Sequence, residues 1–260
     1  MGQRTQYTPG TFSWTDLTTT DPAAAKEFYT GLLGWQFTEM PAGDGVEYSM
    51  AAVGGSWVAA VSPQPQQQRD AGVPPTWNSY ITVQDVDAAA ARAVELGGSV
   101  HAGPFDVMEA GRMAVVRDPQ GAWFQIWQPR QHHGAGLVNA PGALCWNELG
   151  TPDAAGAAEF YGSLFGWTTA PVQDADPPYL VIRTADGHTN GGIRPPAPPE
   201  APPAWLVYFA TADIDASSAA VARLGGGVMV EPMDIGVARI SVVRDPQGAV
   251  FALYAGDLDE

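Results

Sequence analysis

From residue 12 to 18 apolar and polar positions alternate, the period of a strand with one buried face. Asp21 and Pro22 follow, a capping side chain before a proline suited to the first helical position. They predict a helix to about Leu33, stopped by Gly34. Phe28, Tyr29, Leu32 and Leu33 recur at helical spacing and read as its core stripe. Residues 48–61 read as two short strands turned at Gly54-Gly55. A second block repeats the plan: a strand over 78–83, a helix from Asp85 or Asp87 to Leu96, and a stop at Gly97-Gly98. Strands follow near Val100, over 112–117 and over 122–127, the last two joined by the turn Asp118-Pro-Gln-Gly121. Each block is thus a strand, a helix and three strands.

The whole plan then recurs. Phe12-Ser-Trp-Thr-Asp16, Asp21, Phe28-Tyr29 and Gly34-Trp35 return at identical spacing as Leu144-Cys-Trp-Asn-Glu148, Asp153, Phe160-Tyr161 and Gly166-Trp167. Asp85-Val-Asp87, Leu96-Gly-Gly98 and Val116-Arg-Asp-Pro-Gln-Gly121 are answered by Asp213-Ile-Asp215, Leu224-Gly-Gly226 and Val243-Arg-Asp-Pro-Gln-Gly248. The offset falls from 132 (12 to 144) through 128 (85 to 213) to 127 (116 to 243), so the length changes lie between elements. Such a pattern predicts two duplicated modules, not a solenoid. Their expected bounds are 1–130 and 142–260, with a linker over 131–141. Shifts to Pro, Gln and Gly at 62–75 and 194–203 mark loops between the two blocks of each module.

Composition narrows the function. A chain of 260 residues, 45% hydrophobic and 15% charged, can bury substantial cores. A net charge of −16 repels nucleic acid and anionic membranes, so neither is an expected partner. No run of about 18 apolar residues and no basic, apolar leader occurs, which predicts a cytoplasmic protein. Cys145 is the single cysteine, so no internal disulfide can form, and its apolar neighbours suggest a buried thiol. His132 and His133 read as surface linker residues, His101 as an ordinary strand residue and His188 as an exposed turn residue. No nucleophile elbow, phosphate loop or dinucleotide fingerprint is present.

The order of these motifs, twice over, resembles the vicinal oxygen chelate superfamily, which includes glyoxalase I, extradiol dioxygenases, fosfomycin-resistance enzymes and bleomycin-resistance proteins. Within it the chain looks like the tandem glyoxalase-like proteins of actinobacterial type. The resemblance implies an α+β fold: in each module a pair of βαβββ units forms a cup-shaped, mostly antiparallel curved sheet with helices outside. It also implies ligand-handling groups inside the cups. Metal-dependent members place three ligands at positions that correspond here to Trp14, Asn78 and Gln125, and in the second module to Trp146, Leu206 and Ala252. None is a His or Glu. Neither a metal nor another cofactor is therefore expected, and an iron dioxygenase or zinc glyoxalase is disfavoured. Only Asn78 and Gln125 offer carbonyl oxygens, which are weak ligands.

Strand alternation puts Trp14 and Asp16 on one face, and Trp146 and Glu148 on the matching face. One reading makes Asp16 and Glu148 catalytic acids or bases beside aromatic stacking platforms. The other makes the tryptophans space-filling and the acids acceptors of internal hydrogen bonds. Candidate binding residues are Trp14, Tyr48, Trp57, Asn78, Tyr80, Gln125 and Trp127 in the first cup. In the second they are Trp146, Tyr179, Trp205, Tyr208 and Tyr254. The first cup, being more polar, is the preferred site. The expected function is metal-independent binding and transformation of a small organic metabolite, by a lyase, isomerase or hydroxylase reaction. The alternative is a non-catalytic, antibiotic-binding or resistance protein. The expected partner is a small-molecule ligand or substrate, and the chain is expected to be a monomer or homodimer.

Overall fold

The computed structural model describes residues 2–41 and 47–258. After the short strand β1 (Gly2–Gln3), the first module runs β2 (Phe12–Thr19), α1 (Pro22–Leu33), β3 (Gln36–Pro41), β4 (Glu47–Val53), β5 (Ser56–Pro63), α2 (Gln66–Asp70), β6 (Thr76–Thr82), α3 (Val86–Glu95), β7 (Ser99–Val107), β8 (Gly111–Arg117) and β9 (Trp123–Pro129). After β10 (Leu137–Val138), the second runs β11 (Leu144–Gly150), α4 (Ala154–Phe165), β12 (Thr168–Pro171), β13 (Leu180–Arg183), β14 (Thr189–Arg194), β15 (Ala204–Ala210), α5 (Ile214–Arg223), β16 (Gly227–Asp234), β17 (Ala238–Arg244) and β18 (Val250–Gly256).

The helix boundaries follow from capping chemistry. Asp21 accepts from the Ala24 amide at 3.0 Å, and Gly34 ends α1 in the left-handed region at φ 71°. Asp153 and Gly166, at φ 73°, do the same for α4. Asp85 rather than Asp87 caps α3, and Asp213 caps α5. The 62–75 stretch holds the short helix α2, which its proline and glutamine content concealed.

Each module forms one eight-stranded mixed sheet, in the orders β3-β4-β5-β2-β6-β9-β8-β7 and β12-β13-β14-β11-β15-β18-β17-β16. At the centre the first strands of the two units, β2 and β6, run antiparallel, and each is flanked by a parallel strand of its own unit. The second sheet repeats this arrangement around β11 and β15.

Each sheet is built within one module, yet the cores on its helix side are built by both. Phe28, Tyr29, Trp35 and Trp77 pack with Phe209, Val243, Phe251 and Leu253 of the second module. Reciprocally, Ile81, Phe124 and Ile126 pack with Phe160, Tyr161, Trp167 and Trp205. Polar ties follow the same crossed pattern. Tyr29 donates to Asp245 at 3.1 Å and Tyr161 to Asp118 at 3.0 Å. The Trp35 indole donates to the Gly142 carbonyl, and the Trp167 indole to that of Gly10, each at 2.7 Å. The other face of each sheet is the cup.

Candidate functional site

In the first cup the strand period brings the expected residues together. Trp14 lies opposite Tyr80, and Asp16 lies between Ala60 on one side and Asn78 on the other. The Trp14 indole donates to the Tyr48 hydroxyl at 3.0 Å, and Tyr48 donates in turn to Asp16 Oδ2 at 2.9 Å. Tyr80 donates to the same oxygen at 2.8 Å, and Asn78 Nδ2 to Oδ1 at 2.8 Å. Burial raises the Asp16 carboxyl above the ordinary aspartate range, and these three donors only partly offset it. Burial and then the charge of Asp16 push the Tyr48 and Tyr80 phenols well above their usual value. Gln125 donates to Asn78 Oδ1 at 3.2 Å and keeps its own buried Oε1 without a partner.

Two further segments cover this cup. Ala135 and Val138 are buried in one cluster with Trp14, Met50, Ala60, Tyr80 and Trp127, and Tyr7, Tyr48 and Trp57 pack against it. The strap of residues 132–138 is tied by Ala135 N to the Ser13 carbonyl at 2.8 Å, Gly136 N to the Trp57 carbonyl at 2.7 Å, and Tyr7 Oη to the Ala135 carbonyl at 2.7 Å. The Trp127 indole donates to the His132 carbonyl at 2.9 Å, and β1 pairs with β10. His133 is exposed as expected, but His132 corrects the surface reading of the pair. Its ring lies against Trp14, and its Nε2 is buried and unpaired. Burial and then the neighbouring His133 pull the His132 pKa down to about 4.

The second cup repeats the relay with different accessories. The Trp146 indole donates to Tyr179 at 2.9 Å, and Tyr179 and Tyr208 both hydrogen-bond Glu148. Arg194, the last residue of β14, forms an ion pair with Glu148 and also donates to the Pro195 carbonyl at 3.0 Å. Burial works against the Arg194 charge, but the attraction of Glu148 outweighs it and the guanidinium pKa is raised. The rung that holds Asp16 and Ala60 in the first cup holds Glu148 and Gly192 in the second. A Cβ on Gly192 would lie 2.0 Å from the Tyr179 hydroxyl, so the longer acid and its phenol fit because that position has no side chain. Trp146, Tyr179 and Tyr254 are half-buried here, whereas Trp14 is only 3% exposed. By register, Val230 follows Val242 and Ala252, and Met233 follows Ile240 and Tyr254, onto this same face. Both are exposed there, at 39% and 47%.

The donor sets at the metal-ligand positions do not fit a divalent cation. The Trp14 nitrogen is a donor already used by Tyr48, and the Asn78 oxygen accepts from Gln125. Leu206 and Ala252 have no donor atom, and the described residues contain no group of three or more His, Cys, Asp and Glu able to hold a metal.

Trp205 departs from its expected place. It sits one residue from Leu206 on the opposite face, buried in a crossed core with its indole donating to Tyr161 at 3.0 Å. Arg194 was hidden by the proline-rich run that follows it. Cys145 is half-buried and donates to the Tyr208 carbonyl at 3.4 Å, with its thiol pKa raised by burial. His101 lies exposed on β7, and His188 is exposed before β14. A surface groove of about 350 Å³ between α3, α4 and Gly10 is remote from both cups and contains no buried unpaired polar atom.

The sequence pattern of the glyoxalase/bleomycin resistance protein/dioxygenase superfamily matches residues 11–126 and again 144–253. The chain is 44% identical over 256 residues, 97% of each chain, to CFP32 of Mycobacterium tuberculosis, named as a candidate glyoxylase. It is 34% identical over 267 residues to the anthracycline biosynthesis protein DauV of Streptomyces sp. strain C5, covering 96% of this chain and 94% of that one. Among solved structures it resembles the Mn(II)-bound glyoxalase of Novosphingobium aromaticivorans, with a TM-score of 0.64 at 15% identity over 100% of this chain and 86% of that one. It also resembles the 2,3-dioxygenase LapB of Pseudomonas sp. KL28, with a TM-score of 0.65 at 13% identity over 98% and 96%. These two likenesses concern the fold. With both halves matched and near-full-length relatives at this identity, the chain belongs to the glyoxalase/bleomycin resistance protein/dioxygenase superfamily as two tandem modules.

Proposed function

We propose that this protein binds and transforms a flat, partly polar organic metabolite without a metal ion, and that the second cup is the working site. The observation that carries this reading is the contrast between the two tryptophans: Trp146 is only partly buried, on the strand that carries Glu148 and its Arg194 partner, whereas Trp14 is buried beneath residues 132–138. Trp146, Tyr208 and Tyr254 supply stacking surface, with Val230 and Met233 as an apolar rim. Arg194 offers a fixed cation to a ligand carbonyl or phenolate oxygen. Glu148, linked to the Tyr179 and Tyr208 hydroxyls, is placed to take or return a proton. Sequence alone favours the more polar first cup; Asp16 there and Glu148 in the second are alike buried and each held by three side-chain partners, so the preference rests on residues 132–138, which bury Trp14. The relatives' names, a candidate glyoxylase and an anthracycline biosynthesis protein, agree with a small carbonyl or polycyclic aromatic ligand.

A second reading, sequestration without chemistry, draws on the ion pair that already occupies Glu148. Each sheet is completed within one chain, so a monomer suffices for either reading. The net charge argues against nucleic acid, and no helix among the described residues is long and apolar enough to cross a membrane. The test is titration of EDTA-treated protein with a hydroxylated anthraquinone, followed by tryptophan quenching and product analysis. Trp146→Ala should weaken binding at least about tenfold, the scale of one lost aromatic contact. Glu148→Gln should stop turnover while sparing binding. Binding with no product in the wild type selects sequestration, and equal affinity of wild type and Trp146→Ala removes the second cup from consideration.

A further inference from the structure

The His132 ring meets Trp14 edge-on, with centroids 4.5 Å apart and planes at 83°, and meets Trp127 at 5.8 Å and 68°. This is the geometry an aromatic guest adopts against an aromatic wall. Among the described residues, two buried polar atoms in this cup lack partners, His132 Nε2 and Gln125 Oε1, and Gln125 is 5% exposed. The ring is neutral, as a desolvated imidazole with a pKa near 4 must be at neutral pH. Its backbone is held by other means: the His132 carbonyl accepts from Trp127, and Ala135 and Gly136 are bonded to the walls. The side chain is therefore separable from the strap that carries it.

We infer that the first cup contains a subsite for a neutral nitrogen-heteroaromatic ring, filled in this chain by its own His132 side chain. Trp146, the corresponding wall of the second cup, is only partly buried.

Cavities of about 150 Å³ cut into apolar interiors take up benzene-sized rings from solution. His132→Ala should accordingly create a site for free imidazole. The measurement is the thermal midpoint of wild type and His132→Ala with rising imidazole at pH 8, where most of it is neutral, against acetamide as control. The variant should show a saturable rise larger than that of the wild type by roughly 3 °C at tenfold saturation. An equal shift in both proteins places the imidazole elsewhere and overturns the inference, as does no shift in a folded variant. Should His132→Ala not fold, diethyl pyrocarbonate decides on the wild type. His132 must react far more slowly than the exposed His101, His133 and His188, and four equal rates overturn the inference. None of these outcomes bears on Trp146 or Glu148, so the second cup stands or falls separately.

Discussion

Tyr29 donates a hydrogen bond to Asp245, 216 residues further along the chain. Asp245 Oδ1 accepts the amides of Gln247 and Ala249 and so closes the turn before β18, while its Oδ2 takes the phenol of the opposite module. Tyr161 and Asp118 repeat the arrangement in reverse. The motif that reads as local turn chemistry is thus also the polar seam between modules.

Tyr29→Phe should cost about 2–4 kcal/mol, because both Asp245 Oδ2 and the Trp77 indole, now 2.9 Å from the phenol, lose a buried partner. Tyr161→Phe should cost a similar amount through Asp118 and Trp205. Urea unfolding should stay a single transition in both variants, since each core draws on both modules. Two resolved transitions, or a loss below about 0.5 kcal/mol, would contradict the shared seam.

The His132 imidazole gives a pH signature. Its folded pKa of about 4 lies below the ordinary 6.5, so between these values the unfolded chain binds the extra proton. Stability from this group is complete above about pH 6.5 and is lost as the pH falls towards 4, by about 2–3 kcal/mol. The raised Asp16 carboxyl acts in the opposite sense, favouring the fold at low pH. The quantity to measure is therefore the stability difference between wild type and His132→Phe, which retains Asp16. This difference should shift in favour of the wild type from pH 4 to 7. A flat difference would show the ring to be solvated.

Gly192→Ala puts a methyl group where the Tyr179 hydroxyl lies. Overpacking of this kind costs about 1–3 kcal/mol, and here it should displace Tyr179 from Glu148 and Trp146. The anthraquinone probe should bind several-fold more weakly. Adding Glu148→Asp recreates the Asp–Ala rung of the first cup and should recover most of the lost stability. A double variant less stable than Gly192→Ala would refute the compensation.

The alternation around Trp14 and Trp146 made both acid-bearing faces legible, and the repeat supplied the sheet plan. Trp205 and Tyr208 could not both face the cup, since three residues apart on a strand they point to opposite sides. His132 reads as surface and Arg194 goes unmarked for a different reason: both lie where composition announces a loop. Their places depend on contacts with Trp14 and Glu148, 118 and 46 residues away. The crossed cores were equally invisible, because the period of α1 shows that Phe28 and Tyr29 are buried but not which module buries them.

Those crossed cores divide the labour of the chain between the two sides of each sheet. Behind the sheets the large residues of the two modules share their cores, so a change there must be matched across the molecule. In front, the second cup is built from its own strands, and the first from its own strands with residues 132–138 laid over them. Asn78 can give way to Leu206, and Gln125 to Ala252, without disturbing the seam. The architecture leaves one half free to vary its interior chemistry while the other holds it folded.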